Sequence, residues 1–270
     1  MMDGIEKVAG KPAKVEKVST PDRQVLAVRM GRGRTGGSTL ADWLIQCARH
    51  AGRTVAIGDG DRRNPTLSGL YPPGTNGGAT QPVSDETADV KDWITKALGE
   101  MTVHQGSLVL DLGGGDRVLA EYGRDLGLIE FCDMAGIKPL ALFVSGPEMD
   151  DFEHVLTIWK AGYFKAAQSV LVFNEHLVSG GRTPLGAFDA IMARPEMDQM
   201  MKEGLEQVFM PRLPCMKEMR AAGLSFLDAV ANKPGLDGKP LDPVRQFMVT
   251  TWHKKMVKAF DDAGASAWLP

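Results

Sequence analysis

Between an apolar run, Val25–Val28, and a helical pattern that opens at Ser38 lies a glycine-rich connection, Gly31-Arg32-Gly33-Arg34-Thr35-Gly36-Gly37. This arrangement narrows the choice of fold more than any other stretch of the chain. Glycines let a backbone curl so that its N–H groups face inward on an anion, and a helix start adds free N–H groups and the positive end of its dipole. Counted from Gly31, the spacing is G-x-x-x-x-G-x-S. It fits a phosphate-binding loop with one defect: the lysine expected just before the serine is Gly37. Taken alone, a glycine-rich turn that binds nothing explains such a stretch equally well.

The rest of the chain alternates short apolar runs with helical periodicities. Strands are expected at 24–30, 54–58, 107–112, 139–145, 169–173 and 206–210. Helices are expected at 38–51, 84–101 (capped by Ser84), 117–135 with a break near Gly127, and 148–161. Helical pieces follow at 184–203, after a Gly180-Gly181 loop, and two more helices at 216–231 and 242–263. Residues 71–83, rich in Pro and Gly, read as a loop, either a mobile lid or a plain surface excursion. About six buried-type strands with helices between them predict an α/β fold: an open, mainly parallel sheet covered on both faces, with extra helices at the C-terminal end.

Composition excludes several classes. With 270 residues, 43% hydrophobic and 24% charged, the chain suits one globular domain. A net charge of −3 excludes a protein that is a nucleic-acid binder over its whole surface. No apolar run approaches 18 residues, so no membrane span is expected. Cys47, Cys132 and Cys215 are odd in number and far apart, with neither a disulfide framework nor zinc spacing, which suits a reducing cytoplasm. Residues 1–22, with Lys7, Lys11, Lys14 and Lys17, are read as a flexible basic arm, and 23–270 as a single domain with its C-terminal helices from about 216.

Four polar features then fall in order, each at the carboxyl end of an expected strand, where such a sheet places its ligand. They are the glycine loop, the pair Asp59 and Asp61, Asp111 after four residues of strand, and Asn174. Each is weak alone; their common order is not a chance pattern.

In this order they resemble the ParA/MinD family of deviant P-loop ATPases, which includes plasmid partition proteins and StbB-like proteins of plasmid stability and conjugation. The family's G-K-G-G-x-G-K-[ST]-[ST] stands here as Gly31-Arg32-Gly33-Arg34-Thr35-Gly36-Gly37-Ser38-Thr39. Its Asp-x-Asp-Pro stretch looks like Asp59-Gly60-Asp61, followed by Asn64-Pro65-Thr66. Its Walker B resembles Leu108–Gly114, its adenine-side Asn matches Asn174, and its later Pro turn matches Met210-Pro211. The similarity runs over about residues 24–230.

The resemblance implies ATP and Mg²⁺ as cofactors. Backbone N–H groups of Gly31, Gly33, Arg34, Thr35, Gly36, Gly37, Ser38 and Thr39 would wrap the phosphates. Ser38 would ligate Mg²⁺, with Asp59 and Asp111 holding its waters. Asp61 would orient the attacking water, and Asn174 and Pro211 would flank adenine. The family's signature lysine, which acts across a dimer, is Arg32 here, and Arg34 adds a cation where glycine is usual. The implied activity is a homodimerising switch driven by ATP, with weak hydrolysis because Gly37 replaces the loop lysine. The implied partner is a protein of the same operon. The basic residues Arg245, Lys254, Lys255 and Lys258 of the last helix read either as a non-specific DNA contact or as a solvated face. Phe247, Met248, Thr251, Trp252, Met256 and Phe260 are expected on its core or partner side. The competing reading is a non-hydrolysing scaffold with a degenerate nucleotide site. A Gly37→Lys change is expected to separate the two, raising turnover only in a weakened ATPase.

Overall fold

The computed structural model describes residues 24–113, 116–164, 168–179, 183–184 and 186–270. The arm at 1–22, Gly114 of the Walker B stretch and Gly180-Gly181 lie outside the described residues. The four lysines of the arm are matched by Asp3, Glu6, Glu16 and Asp22, so residues 1–22 carry no net basic character.

Strand β1 is Val25–Met30, and all six of its residues are buried. A strand covered on both faces reads as a continuous apolar run, and β1 does so except at Arg29. Next come α1 (Gly37–His50), β2 (Val55–Asp59), α2 (Thr66–Leu70), β3 (Ala79–Thr80), α3 (Thr87–His104) and β4 (Ser107–Asp111). The second half adds α4 (Asp116–Leu126), α5 (Leu128–Met134), β5 (Lys138–Ser145), α6 (Met149–Ala161), β6 (Gln168–Asn174), α7 (Asp189–Met192), α8 (Pro195–Lys202) and β7 (Leu205–Met210). Helices α9 (Met216–Ala221), α10 (Phe226–Val230) and α11 (Pro243–Asp262) follow. The strands form one sheet in the order β3-β2-β4-β1-β5-β6-β7, every pairing parallel.

Two apolar layers sandwich this sheet. Leu26, Val28 and Met30 face a layer built from α3 to α8, with Trp93, Leu119, Phe152 and Met200. Val25 and Ala27 face the other layer, which joins α1 to the C-terminal helices through Trp43, Phe226, Trp252 and Phe260. By the two-residue period of a strand, Arg29 belongs to this second face, under α1.

Three expectations are corrected. The 71–83 stretch contains a seventh strand, β3, which pairs Ala79 with Ile57 and adds an edge to the sheet. Trp93 Nε1 donates to Thr80 Oγ1 at 3.1 Å and Arg49 to Gly77 O at 2.8 Å, which pins the segment to the sheet margin. The helix expected from Ser84 starts at Thr87, because the Ser84 hydroxyl is spent on Asp89 and on the Glu86 N–H. The single helix expected at 216–231 is two, separated at Gly223, which takes φ +69°, with Ser225 capping the second through the Asp228 N–H.

Helix α11 buries Val249, Trp252, Met256 and Phe260, spaced by three or four residues. Phe247, expected on the core or partner side, is not in the core and is 69% exposed. Arg245 pairs with Asp242 and Lys258 with Asp262, so two of the four basic residues are balanced on the helix itself. Cys132 is fully buried in the core, where burial pushes its thiol up to about 11. No helix among the described residues is long and apolar enough to cross a membrane.

Candidate functional site

Parallel pairing brings β2, β4 and β1 together in one row. Asp59 lies opposite Asp111, and Asp111 lies opposite Arg29. All three side chains are at most 3% exposed. The glycine loop passes from the end of β1 into α1 directly above this row.

The Ser38 hydroxyl, on the first turn of α1, donates to Asp111 Oδ2 at 2.5 Å. Asp111 Oδ1 accepts from the Gly113 N–H at 3.1 Å and lies 3.8 Å from Arg29 Nη1. Asp59 accepts from the Ser68 N–H at 2.7 Å and the Asp61 N–H at 3.3 Å. Burial is the main cause that raises its carboxyl above the usual range, and the Asp111 charge adds to it. Asp61 is half-buried, accepts from the Asn64 N–H at 3.0 Å and sits at the rim of the chamber under the loop. Ser38, Asp111 and Asp59 form a hard-oxygen set that fits Mg²⁺, an ion that keeps several waters. Among the described residues no three or more His, Cys, Asp or Glu side chains converge to hold an ion.

A chamber of about 410 Å³ opens between the loop and the Asp61 region. It is lined by Arg29, Gly33, Arg34, Gly36, Gly37, Ser38, Thr39, Asp61, Asn64, Thr66 and Gly113. A narrower slot of about 130 Å³ adjoins it and shares Arg34, Gly36 and Thr39. Its far walls are Asn174, Leu177, Met210, Pro211, Met216 and Trp252. A polar chamber at a helix start and a mainly apolar slot thus meet over Gly36. The slot owes Trp252 to α11, whose indole N–H donates to Pro211 O at 2.7 Å. Sequence reading did not find Trp252 here, because it arrives from the last helix, 41 positions beyond Pro211.

Asn174 proves to be a latch. Its Nδ2 donates to Thr35 O at 2.8 Å, and its Oδ1 accepts from the His176 N–H at 3.0 Å. Gly36 has φ +91°, and a Cβ there would meet Asn174 Nδ2 at 2.3 Å. Asn174 and the loop are therefore fitted to each other. Gly31 is buried at the loop entrance and Gly33 is exposed at its crest. Arg34 adopts φ +68°, a conformation that non-glycine residues rarely take, so its position still has the backbone of a glycine. Arg32 is half-exposed and turns away to Asp151 at 3.3 Å and Asp150 at 4.0 Å, at the start of α6. The expected residues thus converge, except that Arg32 points outward.

Arg29 was not singled out in the sequence. Its Nη1 donates to Gly113 O at 2.6 Å and Gly31 O at 3.2 Å, and its Nη2 donates to Arg32 O at 2.7 Å and Thr35 Oγ1 at 2.9 Å. A Cβ built on Gly37 would lie 1.7 Å from Arg29 Nε. A lysine at 37 would have to displace the Arg29 guanidinium, so Gly37→Lys would replace one cation by another rather than add one. The signal available in the sequence was a charge in an otherwise apolar buried strand, eight positions before the missing lysine.

A larger groove, of about 710 Å³, lies beside α1 against Tyr71, Arg220 and Leu227. Its buried acid, Asp42, accepts hydrogen bonds from Tyr71, Gln46 and Arg220, which makes this groove a structural junction.

No protein-family model matches the chain. No curated protein matches it either. Solved structures do. Apo McdA from Cyanthece superposes with a TM-score of 0.50 at 10% identity, over 88% of this chain and 99% of that one. The MinD cell division protein of Aquifex aeolicus gives 0.45 at 14% identity, over 87% and 97%. The signal recognition particle receptor FtsY of Elizabethkingia anophelis gives 0.44 at 12% identity, over 87% of this chain and 66% of the receptor, about two thirds of its length. The seven-stranded parallel sheet with a glycine loop after its central strand carries the conclusion. The chain has a P-loop NTPase fold. At such identities the likeness concerns the fold alone.

Proposed function

We propose that this chain is a ParA/MinD-like, ATP-binding switch that dimerises on nucleotide and acts in plasmid stability, DNA positioning or conjugative transfer. The observation that carries the nucleotide part is the meeting of the polar chamber and the apolar slot over Gly36, with Ser38 and Asp111 in contact at one end. A triphosphate fits the first and a flat base the second. Ser38, Asp59 and Asp111 would hold Mg²⁺ and its waters, which would neutralise charge on the phosphates. Asp61, at the chamber rim, would orient water. Asn174 holds the loop closed with the hydrogen bonds it makes here and keeps one further amide hydrogen for a base. The process, like the same-operon partner and the cytoplasmic setting, rests on the sequence resemblance. Residues 23–270 would form the switch unit.

Hydrolysis is proposed to be slow, because no lysine reaches the phosphates from position 37. Arg32 is the group proposed to cross to a partner subunit. Its pair with Asp151 is half-exposed, and pairs of that kind contribute only about 0–1 kcal/mol, so releasing it costs little. Light scattering on the full chain, with and without Mg-ATP, tests the switch. A shift from monomer to dimer with ATP that disappears in Arg32→Ala is expected, with ATP binding retained. A mass that ignores nucleotide would instead favour the scaffold reading.

A further inference from the structure

The loop lacks its lysine, yet the space that lysine would enter is already filled by a cation. We propose that Arg29, delivered from β1 beneath the loop, is the phosphate-site cation of this protein, taking over for a nucleoside di- or triphosphate the charge that a lysine at position 37 would carry. The proposal rests on the nucleotide reading and deepens it.

Three independent observations converge. The first is steric. A Cβ on Gly37 would lie 1.7 Å from Nε, 2.5 Å from Cζ and 2.6 Å from Cδ of Arg29. A side chain at 37 would have to displace the Arg29 guanidinium, so Arg29 in this position and a lysine at 37 are alternatives. The second is hydrogen bonding. A guanidinium has five N–H donors in a fixed plane. The four on Nη1 and Nη2 go to Gly31 O, Gly113 O, Arg32 O and Thr35 Oγ1. The fifth, on Nε, is buried and has no acceptor. A buried donor without a partner is unfavourable, and Arg29 is among the residues that line the chamber, so a small shift of its side chain could offer this N–H to an anion there. The third is charge. Arg29 is 3% exposed, and its nearest carboxylate oxygen, on Asp111, is 3.8 Å from Nη1. The guanidinium makes one ion pair, with Asp111, and otherwise contacts neutral carbonyl and hydroxyl oxygens. Its fork binds several loop oxygens and leaves one N–H without a partner.

The test is a double-variant cycle on the full chain, measuring equilibrium binding of ATP, ADP and AMP with Mg²⁺. Arg29→Met is expected to weaken ATP about tenfold to a hundredfold, the worth of a charge-assisted hydrogen bond, and AMP far less, so the preference for ATP over AMP collapses. Gly37→Lys alone is expected to weaken ATP similarly by displacing the guanidinium. Arg29→Met combined with Gly37→Lys is expected to recover most of the lost ATP affinity, because a lysine then has room. A strut with no ligand role predicts no such recovery. Arg29→Lys, which keeps a charge but loses the fork, serves if Arg29→Met does not fold, and is expected to retain the ATP-over-AMP preference. A folded Arg29→Met with that preference intact, a double variant no better than Arg29→Met, or a folded Arg29→Lys that has lost the preference overturns the proposal alone. Wild-type chain that takes up neither ATP nor ADP overturns the nucleotide reading, and this proposal with it.

Discussion

Asn174 shows how one amide can hold a glycine loop in shape. It ties the end of β6 to the Thr35 carbonyl across 139 positions of sequence, while its own oxygen caps the turn at His176. Asn174→Ala leaves a buried carbonyl and a backbone N–H without these partners. The expected cost is about 1–3 kcal/mol, read as a lower urea midpoint with an unchanged slope, together with weaker ATP binding. An unchanged midpoint would contradict the latch. At this scale the sequence was partly legible. Ser38, Asp59 and Asp111 were singled out because each ends a strand or opens a helix, and Asp61 because it lies two positions beyond a strand end. Arg29 was not, because its relation to Gly37 exists only once the loop has folded back over β1.

Among the elements, α11 matters beyond its own length. It supplies Trp252 to the slot, and it packs on α1, the helix that carries Ser38 and Thr39. At that contact Trp43 stacks on Phe260 at 5.4 Å, and its indole N–H donates to His253 Nδ1 at 3.1 Å. Burial, with a smaller contribution from the His50 charge, holds the His253 imidazole below its ordinary value of 6.5. His253 must be neutral to accept that bond. Below about pH 6.5 the unfolded chain binds the proton more readily than the folded one, so stability falls as the pH drops through that range. Thermal midpoints are expected to decline between pH 7.5 and 5.5, and to decline less in His253→Gln, whose amide oxygen can still accept. An identical decline in the variant would assign the effect elsewhere. The long strands and α11 were legible from periodicity, within about a residue at most ends. The two-residue β3 and the break at Gly223 were not, because a short edge strand exists only by pairing with β2, and a left-handed glycine leaves little trace in a helical pattern.

The whole molecule places its charged row at the middle of a seven-stranded sheet and closes it from two sides. The glycine loop comes from the start of the chain and the Pro211–Trp252 wall from its end. The net charge of −3 gives no general attraction to nucleic acid, so any DNA contact would have to be local. The proposed dimer belongs to this scale too, since it would require Arg32 to leave Asp151 for another subunit. The central claim is that a loop without its lysine still binds nucleotide, with an arginine below it. Calorimetric titration of the wild-type chain with ATP in the presence of Mg²⁺ tests this most directly. Saturable binding, one ATP per chain and stronger than for AMP, is the expected result. No binding heat at any temperature tried, together with no shift in melting temperature at millimolar ATP, would contradict it.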